Sequence, residues 1–308
     1  MLVISREHPS ASHHHALEVS MTLYVAVDCG GTKLAFAAYR SLTDQIPICP
    51  GFTITTSGNY AEDLESLKTG IKRAAIEAGY SPKDITAIGI TLPGRLNAAR
   101  TMLEAAGNVT EWVDKEIFRD LQSAFGCHMI LGNDGEGQAL AEAILNPELA
   151  GKELLLVAPG TGIAIARIHD VDGRMVSMAT EGAHQIINPL GSTPRMCGCG
   201  HNNCWESYAS GDGIEKRYGK PASELTLEEW DEVAFWMEVG IANCLSLHMV
   251  PIVVLGGGVI AGQTHLVANL AKRLGSRRMN TPSPDVIQSG FGERAGTLGA
   301  LAMLTLAA

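Results

Sequence analysis

Positive charge is in short supply in this chain: its 308 residues hold 23 Lys and Arg against 33 Asp and Glu, a formal net charge of −10. That balance argues against gripping nucleic acid or an anionic membrane by bulk electrostatics. It leaves open a small phosphorylated molecule, held by local backbone amides or a metal. Long apolar runs are absent too: with 46% hydrophobic residues, no stretch reaches the roughly 20 needed to cross a bilayer. Residues 1–20, MLVISREHPSASHHHALEVS, lack the apolar stretch of a signal peptide and follow neither a strand nor a helix period. They are read as a disordered leader or tag remnant, with ordered patterning starting after Met21. The seven cysteines are an odd number without a secretion signal, which points away from a disulfide framework and toward a reducing cytoplasm. Low-complexity linkers are missing as well. The chain is long enough for two domains, so the division between them has to be read from repetition.

Two strand–glycine–strand units supply it. LYVAVDCGGTKLAFAAYR predicts strands over Tyr24–Val27 and Leu34–Tyr39 around a turn at Gly30–Gly31. Glu153–Val157 and Ile163–Ile168 flank APGTG in the same way, with Met175–Met178 as a third strand. Between the units, helical periodicity runs over Ala61–Gly79 through Leu64, Leu67, Ile71, Ala74, Ala75 and Ala78. A Ser-Pro start signal, a buried strand and a Pro93–Gly94 turn follow, then an amphipathic helix over Val113–Phe125 and a strand at His128–Leu131. A helix from Asn133 to about Leu145 puts Glu136 and Glu142 on its solvent side. Further helices reach His248, PIVVLGGGVIAG reads as a strand entering a triple glycine, and ERAGTLGALAMLTL closes the chain as an apolar helix. The duplication predicts two α/β lobes facing each other across a cleft, with a boundary near residue 132.

Three glycine loops begin at strand ends. Asp28-Cys29-Gly30-Gly31-Thr32-Lys33 leads into a strand rather than a helix, so neither a P-loop nor a dinucleotide fingerprint fits it. Its backbone amides are still able to cradle phosphate, and Asp28 to hold Mg²⁺ directly or through water. Gly160-Thr161-Gly162 repeats the device, and Gly256-Gly257-Gly258 would let a planar ring approach the backbone closely. Asn133-Asp134 falls between a strand and a helix. An Asp there serves as an N-cap or, beside bound phosphate, as the base that takes a proton from an attacking hydroxyl.

Cys197, Cys199 and Cys204 form C-x-C-x4-C, with His184 upstream and His201 inside the loop. Three thiolates and one imidazole suit a closed, structural Zn²⁺ site. His201 is near in sequence but must turn tightly, whereas His184 would pin a distant segment to the knuckle.

Taken together these motifs resemble the ROK family (repressors, open reading frames, kinases), from Leu23 to Ala308. The family's first phosphate motif matches DCGGTK, its catalytic pair matches Asn133-Asp134, its second phosphate motif matches Gly160–Gly162, and its adenosine motif matches LGGGV at 255–259. The zinc signature C-x-C-G-x-x-G-C-x-E matches CGCGHNNCWE, with Asn203 in place of the second glycine. The resemblance implies an α/β, two-lobed actin-like ATPase (ribonuclease H-like) fold with a zinc knuckle in the second lobe. The lobes would be 21–132 and 133–293, with the C-terminal helix 294–308 packed back on the first.

The resemblance also implies roles. Asp134 would deprotonate a sugar 6-hydroxyl, and Gly94, Asn108, Asn133, Glu181, His184 and Glu206 would contact the sugar. His184 would in addition complete the zinc site, leaving its second ring nitrogen a fixed donor. Asp28, Gly30, Gly31, Thr32, Lys33, Gly160, Thr161, Gly162 and the three glycines at 256–258 would hold Mg²⁺-ATP. Three places depart from the pattern. Ala183 replaces a glycine of E-x-G-H, the 184–197 segment is about three residues longer than usual, and Ala164, Ile165 and Ala166 replace later glycines of the second phosphate motif. The function expected is an ATP-dependent hexose 6-kinase acting on glucose, in the cytoplasm, with a homodimer as the family-level expectation and neither nucleic acid nor membrane as partner. Alternatives are an N-acetylmannosamine or N-acetylglucosamine kinase and a polyphosphate-dependent glucokinase. From a different class come a non-catalytic sugar-binding relative and a repressor, for whose winged helix no room precedes the first loop.

Overall fold

The computed structural model describes residues 22–191, 193–276 and 283–307; the leader expected at 1–20 lies outside them. The first half builds β1 (Tyr24–Cys29), β2 (Lys33–Tyr39), β3 (Cys49–Thr55), α1 (Tyr60–Glu77), β4 (Ala87–Leu92), a hairpin of β5 (Arg95–Leu96) and β6 (Leu103–Ala105), α2 (Ile117–Phe125), β7 (His128–Asn133) and α3 (Asp134–Leu145). The second builds β8 (Leu154–Pro159), β9 (Ile163–Val171), β10 (Arg174–Ala179), α4 (Glu206–Ala209), α5 (Gly211–Tyr218), α6 (Leu227–His248), β11 (Ile252–Leu255), α7 (Thr264–Ser276), β12 (Asp285–Gln288) and α8 (Ala295–Met303).

Local chemistry accounts for the helix ends. Asn59 accepts hydrogen bonds from the Ala61 and Glu62 amides to start α1, and Thr226 and Glu229 form a reciprocal capping box on α6. The helix expected from Val113 begins only at Ile117, because Asp114 takes a left-handed φ of 59° that ends the preceding turn.

Two five-stranded sheets share one order, β3-β2-β1-β4-β7 and β10-β9-β8-β11-β12. In each, three antiparallel strands are followed by two parallel ones. The repetition read from residues 23–40 and 153–169 therefore extends to whole sheets. Strand β4 is buried along its full length, as a central parallel strand should be.

The helices that end each half are exchanged. α3 packs on β8, β9 and β10, α8 packs on β1 and β4, and the two helices lie against each other. They touch at glycines: a methyl added to Gly299 would stand 2.6 Å from the Gly137 carbonyl carbon. Leu140, Ala143, Leu298 and Leu301 join residues of both sheets in one core, while α1 with α2 and α6 with α7 cover the outer faces. This arrangement brings the carboxyl ends of β1, β4 and β7 to the same edge, where ligands of open α/β sheets bind.

Candidate active site

Asp28 is the penultimate residue of β1, beside Thr91 of β4, its register partner, whose Oγ1 donates a 2.8 Å hydrogen bond to the carboxylate. Burial pushes the Asp28 carboxyl up, opposed by this bond and by Lys33. α8 closes over it at Gly296, where any Cβ would collide with the Asp28 carboxylate. The glycine turn after Asp28 is fastened by Gly30 N–H to the Lys33 carbonyl at 2.8 Å. Gly31 faces Asn108 so closely that an added methyl would lie 2.6 Å from the Asn108 Cβ.

Asp134 is the first residue of α3, half-buried, with its Oδ1 accepting from the Gly135 amide at 2.9 Å. Enclosure by protein, followed by the nearby Asp28 charge, pushes its carboxyl up to about 7, with a smaller contribution from Glu181. Those two influences place Asp28, Asp134 and Glu181 in one electrostatic neighbourhood. Asn133 fixes the turn: its Oδ1 caps the Glu136 amide at 3.1 Å and its Nδ2 donates to the Gly94 carbonyl at 3.0 Å. Gly94 has φ 124°, and a side chain there would strike the Ala105 carbonyl.

The second and third glycine loops lie together because β8 and β11 are parallel neighbours. Gly160 N–H bonds the Gly162 carbonyl at 2.8 Å, and the Gly160 carbonyl accepts from Gly211 at 2.7 Å. The Val259 amide reaches the Pro159 carbonyl at 3.0 Å, and Gly257, at φ 79°, sits against that residue's backbone. Ala164, one of the departures from the glycine-rich pattern, backs onto Gly135 at the start of α3, where an added methyl would meet its Cβ at 3.3 Å.

The knuckle residues converge. One ligand atom each from His184, Cys197, Cys199 and Cys204 lies within 4.8 Å of all the others. Cys197 Sγ stands 3.4 Å from His184 Nδ1, and Cys199 Sγ 3.6 Å from Cys204 Sγ. A tetrahedral zinc ion with its usual bond lengths requires about 3.5–3.8 Å between ligands, so these two pairs stand near tetrahedral spacing and the set of four, within 4.8 Å overall, fits Zn²⁺ in number and type. His201 Nδ1 lies 3.8 Å from Cys199 Sγ and falls outside the compact set. Asn203 takes a left-handed φ of 63°, the conformation that the missing glycine would have supplied.

His184 turns Nδ1 toward the thiols and Nε2 toward Glu181 Oε2, 3.7 Å away. Glu206 spans from the knuckle, with Oε1 3.5 Å from Cys197 Sγ, to the second glycine loop, where Oε2 accepts from the Ile163 amide at 3.2 Å. A methyl on Gly162 would lie 2.5 Å from that same oxygen.

Two glutamates depart from the reading that put them in solvent. Glu136 and Glu142 are buried, at 7% and 1% exposure. Glu136 accepts both prongs of Arg100, and Glu142 accepts from Ser289 Oγ, the Gly290 amide and Asn146 Nδ2. Sequence reading also passed over Thr91, although a lone hydroxyl in the apolar run AIGITL was a signal for it.

Two surface hollows of about 400 Å³ are also present, one lined by Leu149, Ile252 and Ile287, the other by Met129, Met175 and Met303 together with Arg100. Neither holds the convergent polar groups found around Asp134.

A family model described as "ROK family" matches residues 24–306. The chain is 24% identical to a glucokinase of Streptomyces coelicolor over 91% of this chain and 96% of that one. It is 26% identical to an N-acetyl-D-glucosamine kinase of Haemophilus influenzae over 91% and 99%. The crystal structure of a ROK hexokinase from Thermus thermophilus superposes with a TM-score of 0.71 at 26% identity, covering 92% of this chain and 99% of the hexokinase.

Proposed function

Because the chain belongs to the ROK family, we propose that it is an ATP-dependent hexose kinase that phosphorylates the 6-hydroxyl of glucose. The observation that carries this reading is Asp134, a carboxylate raised to about 7 beside Asp28 at the start of α3. A base with that affinity for protons suits work near neutral pH.

In the proposed reaction the sugar lies among Gly94, Asn108, Asn133, Glu181, His184 and Glu206. Asp134 takes the 6-hydroxyl proton as that oxygen bonds to the γ-phosphorus; the bond to the β–γ bridging oxygen breaks, and ADP leaves. Gly30, Gly31 and Thr32 cradle phosphate oxygens from one side, and Gly160, Thr161 and Gly162 from the other, with Lys33 adding positive charge. Gly256–Gly258 receive the adenosine. Mg²⁺, arriving with ATP, would neutralise charge on the transferring group and would be held by Asp28. Zn²⁺ on His184, Cys197, Cys199 and Cys204 would act as scaffold, fixing the ring of His184 so that Nε2 points at the sugar. Positioning and charge neutralisation supply most of phosphoryl-transfer catalysis, so these groups suffice.

A second reading replaces glucose by N-acetylglucosamine or N-acetylmannosamine; the first of these is supported by the name of the Haemophilus influenzae relative, an N-acetyl-D-glucosamine kinase. The test is ADP release from ATP and Mg²⁺ across glucose, mannose, allose, fructose, N-acetylglucosamine and N-acetylmannosamine, repeated with polyphosphate as donor and glucose 6-phosphate as readout. Turnover with glucose above all others supports the first reading, and turnover confined to an N-acetylated sugar supports the second. Product from polyphosphate alone moves the donor assignment, and silence throughout points to a sugar outside the panel or to a sugar-binding protein.

A further inference from the structure

Glu136 takes no part in the transfer described above, yet it is buried two residues beyond Asp134. A buried carboxylate needs partners, and the partners of Glu136 come from distant segments. Arg100 Nη1 donates to Oε2 at 2.8 Å and Nη2 to Oε1 at 3.2 Å, a two-pronged fork. Arg100 lies in the hairpin loop between β5 and β6 with a φ of 53°, a conformation that side-chain-bearing residues seldom adopt. It holds there because the surroundings demand it. Oε1 also accepts from the Ala179 amide at 3.4 Å, at the end of β10 and two residues before Glu181.

The backbone of Glu136 belongs to the same assembly. Its amide is capped by Asn133, whose other side-chain group holds the Gly94 carbonyl at the base of the same hairpin. One carboxylate thus gathers three segments: the hairpin that follows Gly94, the first turn of α3 with Asp134, and the strand that runs on to Glu181 and His184.

We infer that Glu136 and Arg100 are a positioning pair that sets Asp134 against the sugar-contacting segments and so controls how tightly the acceptor sugar is held. The inference rests on the kinase reading. Among the described residues no hydrogen bond or ion pair of the two reaches a glycine loop, so their loss should be felt by the sugar and not by the nucleotide.

The test uses Glu136→Gln, which keeps shape and an acceptor for Ala179 but loses charge, and Arg100→Gly, which accepts the left-handed backbone and removes the whole side chain with its guanidinium. KM for sugar, KM for ATP, kcat and the urea midpoint are measured for both and for the double variant. KM for the sugar should rise about 10- to 100-fold, the range for losing a charged hydrogen-bond pair. KM for ATP should stay within about 2-fold of wild type, and the double variant within about 2-fold of the worse single one, because both remove the same fork. A lowered urea midpoint with unchanged sugar KM would reduce the pair to a structural brace and overturn the inference, as would losses that simply multiply in the double variant. Absence of phosphorylated sugar from the wild type with both ATP and polyphosphate, by contrast, would sink the kinase reading itself.

Discussion

Replacing Asp134 by Asn separates chemistry from folding, because the same substitution is expected to damage one and improve the other. Asn is nearly isosteric and cannot accept the proton of a sugar hydroxyl, so kcat should fall by about 10²- to 10⁴-fold, the usual worth of a positioned general base. Stability should change in the opposite sense. The carboxyl stands at about 7 in the folded chain against an ordinary 3.8, so between those values the folded state keeps a proton that the unfolded chain has lost. Folding stability therefore falls as pH rises from 4 to 7 and stays low above 7. The full difference corresponds to about 4 kcal/mol. Water entering the cleft around this half-buried group screens part of it, leaving about 2 kcal/mol. Urea unfolding of wild type and variant at pH 4.5 and pH 8.5, with ADP release measured on the same samples, reads both effects. The variant should match wild type in acid and exceed it in base, while kcat/KM of the wild type climbs with pH toward a plateau above an apparent value near 7. An equal stability gap at both pH values, or wild-type turnover in the variant, would refute the placement of a proton-binding carboxylate at this point.

Three further outcomes follow from other parts of the molecule. Metal analysis of the purified protein should find about one zinc per chain, lost in Cys199→Ser together with sugar affinity; a metal-free native protein would undo the fit of the knuckle to zinc. Gly299→Ala, which in an ordinary helix would stabilise by up to about 1 kcal/mol, should instead cost about 1–3 kcal/mol by urea titration, since the added methyl meets α3 backbone that has no room to yield. Glu142→Ala should lower stability by about 1–2 kcal/mol, because it empties a site that is 1% exposed and unpairs the half-buried Ser289 Oγ and the Gly290 amide; a change below about 0.5 kcal/mol would show that water replaces the carboxylate there.

The parts of the site that were legible in the sequence are those whose chemistry is local. Glycines at 30–31, 160–162 and 256–258 mark turns that must pass close to a neighbour, and the spacing of Cys197, Cys199 and Cys204 encodes its own geometry. Asp28 and Asp134 stood out because each follows a strand. Glu136 was misread for the complementary reason. A helical period assigns a glutamate to solvent, and the group that makes its burial tolerable, Arg100, lies 36 residues away on a backbone angle that no pattern announces. Glu142 repeats the lesson with Ser289, which is 147 residues distant. The strand order was likewise out of reach of periodicity, since β1 pairs with β4 across a whole helix; the two glycine units hinted that the halves match and were silent on which strand sits where.

The exchange of α3 and α8 reaches beyond packing. Each half of the chain ends in a helix that finishes the other half: α3 covers β8–β10, and α8 covers β1 and β4. Severing the chain at the exposed Gly151 turn would leave two pieces, each with an open sheet face and a spare helix cut to fit its counterpart. Made separately, each should expose that apolar face and tend to aggregate; produced in one cell, the two are expected to pair, as the halves of a divided reporter do. Neither half is a module that evolution could lend elsewhere unaltered, because each keeps its closing piece in the custody of the other.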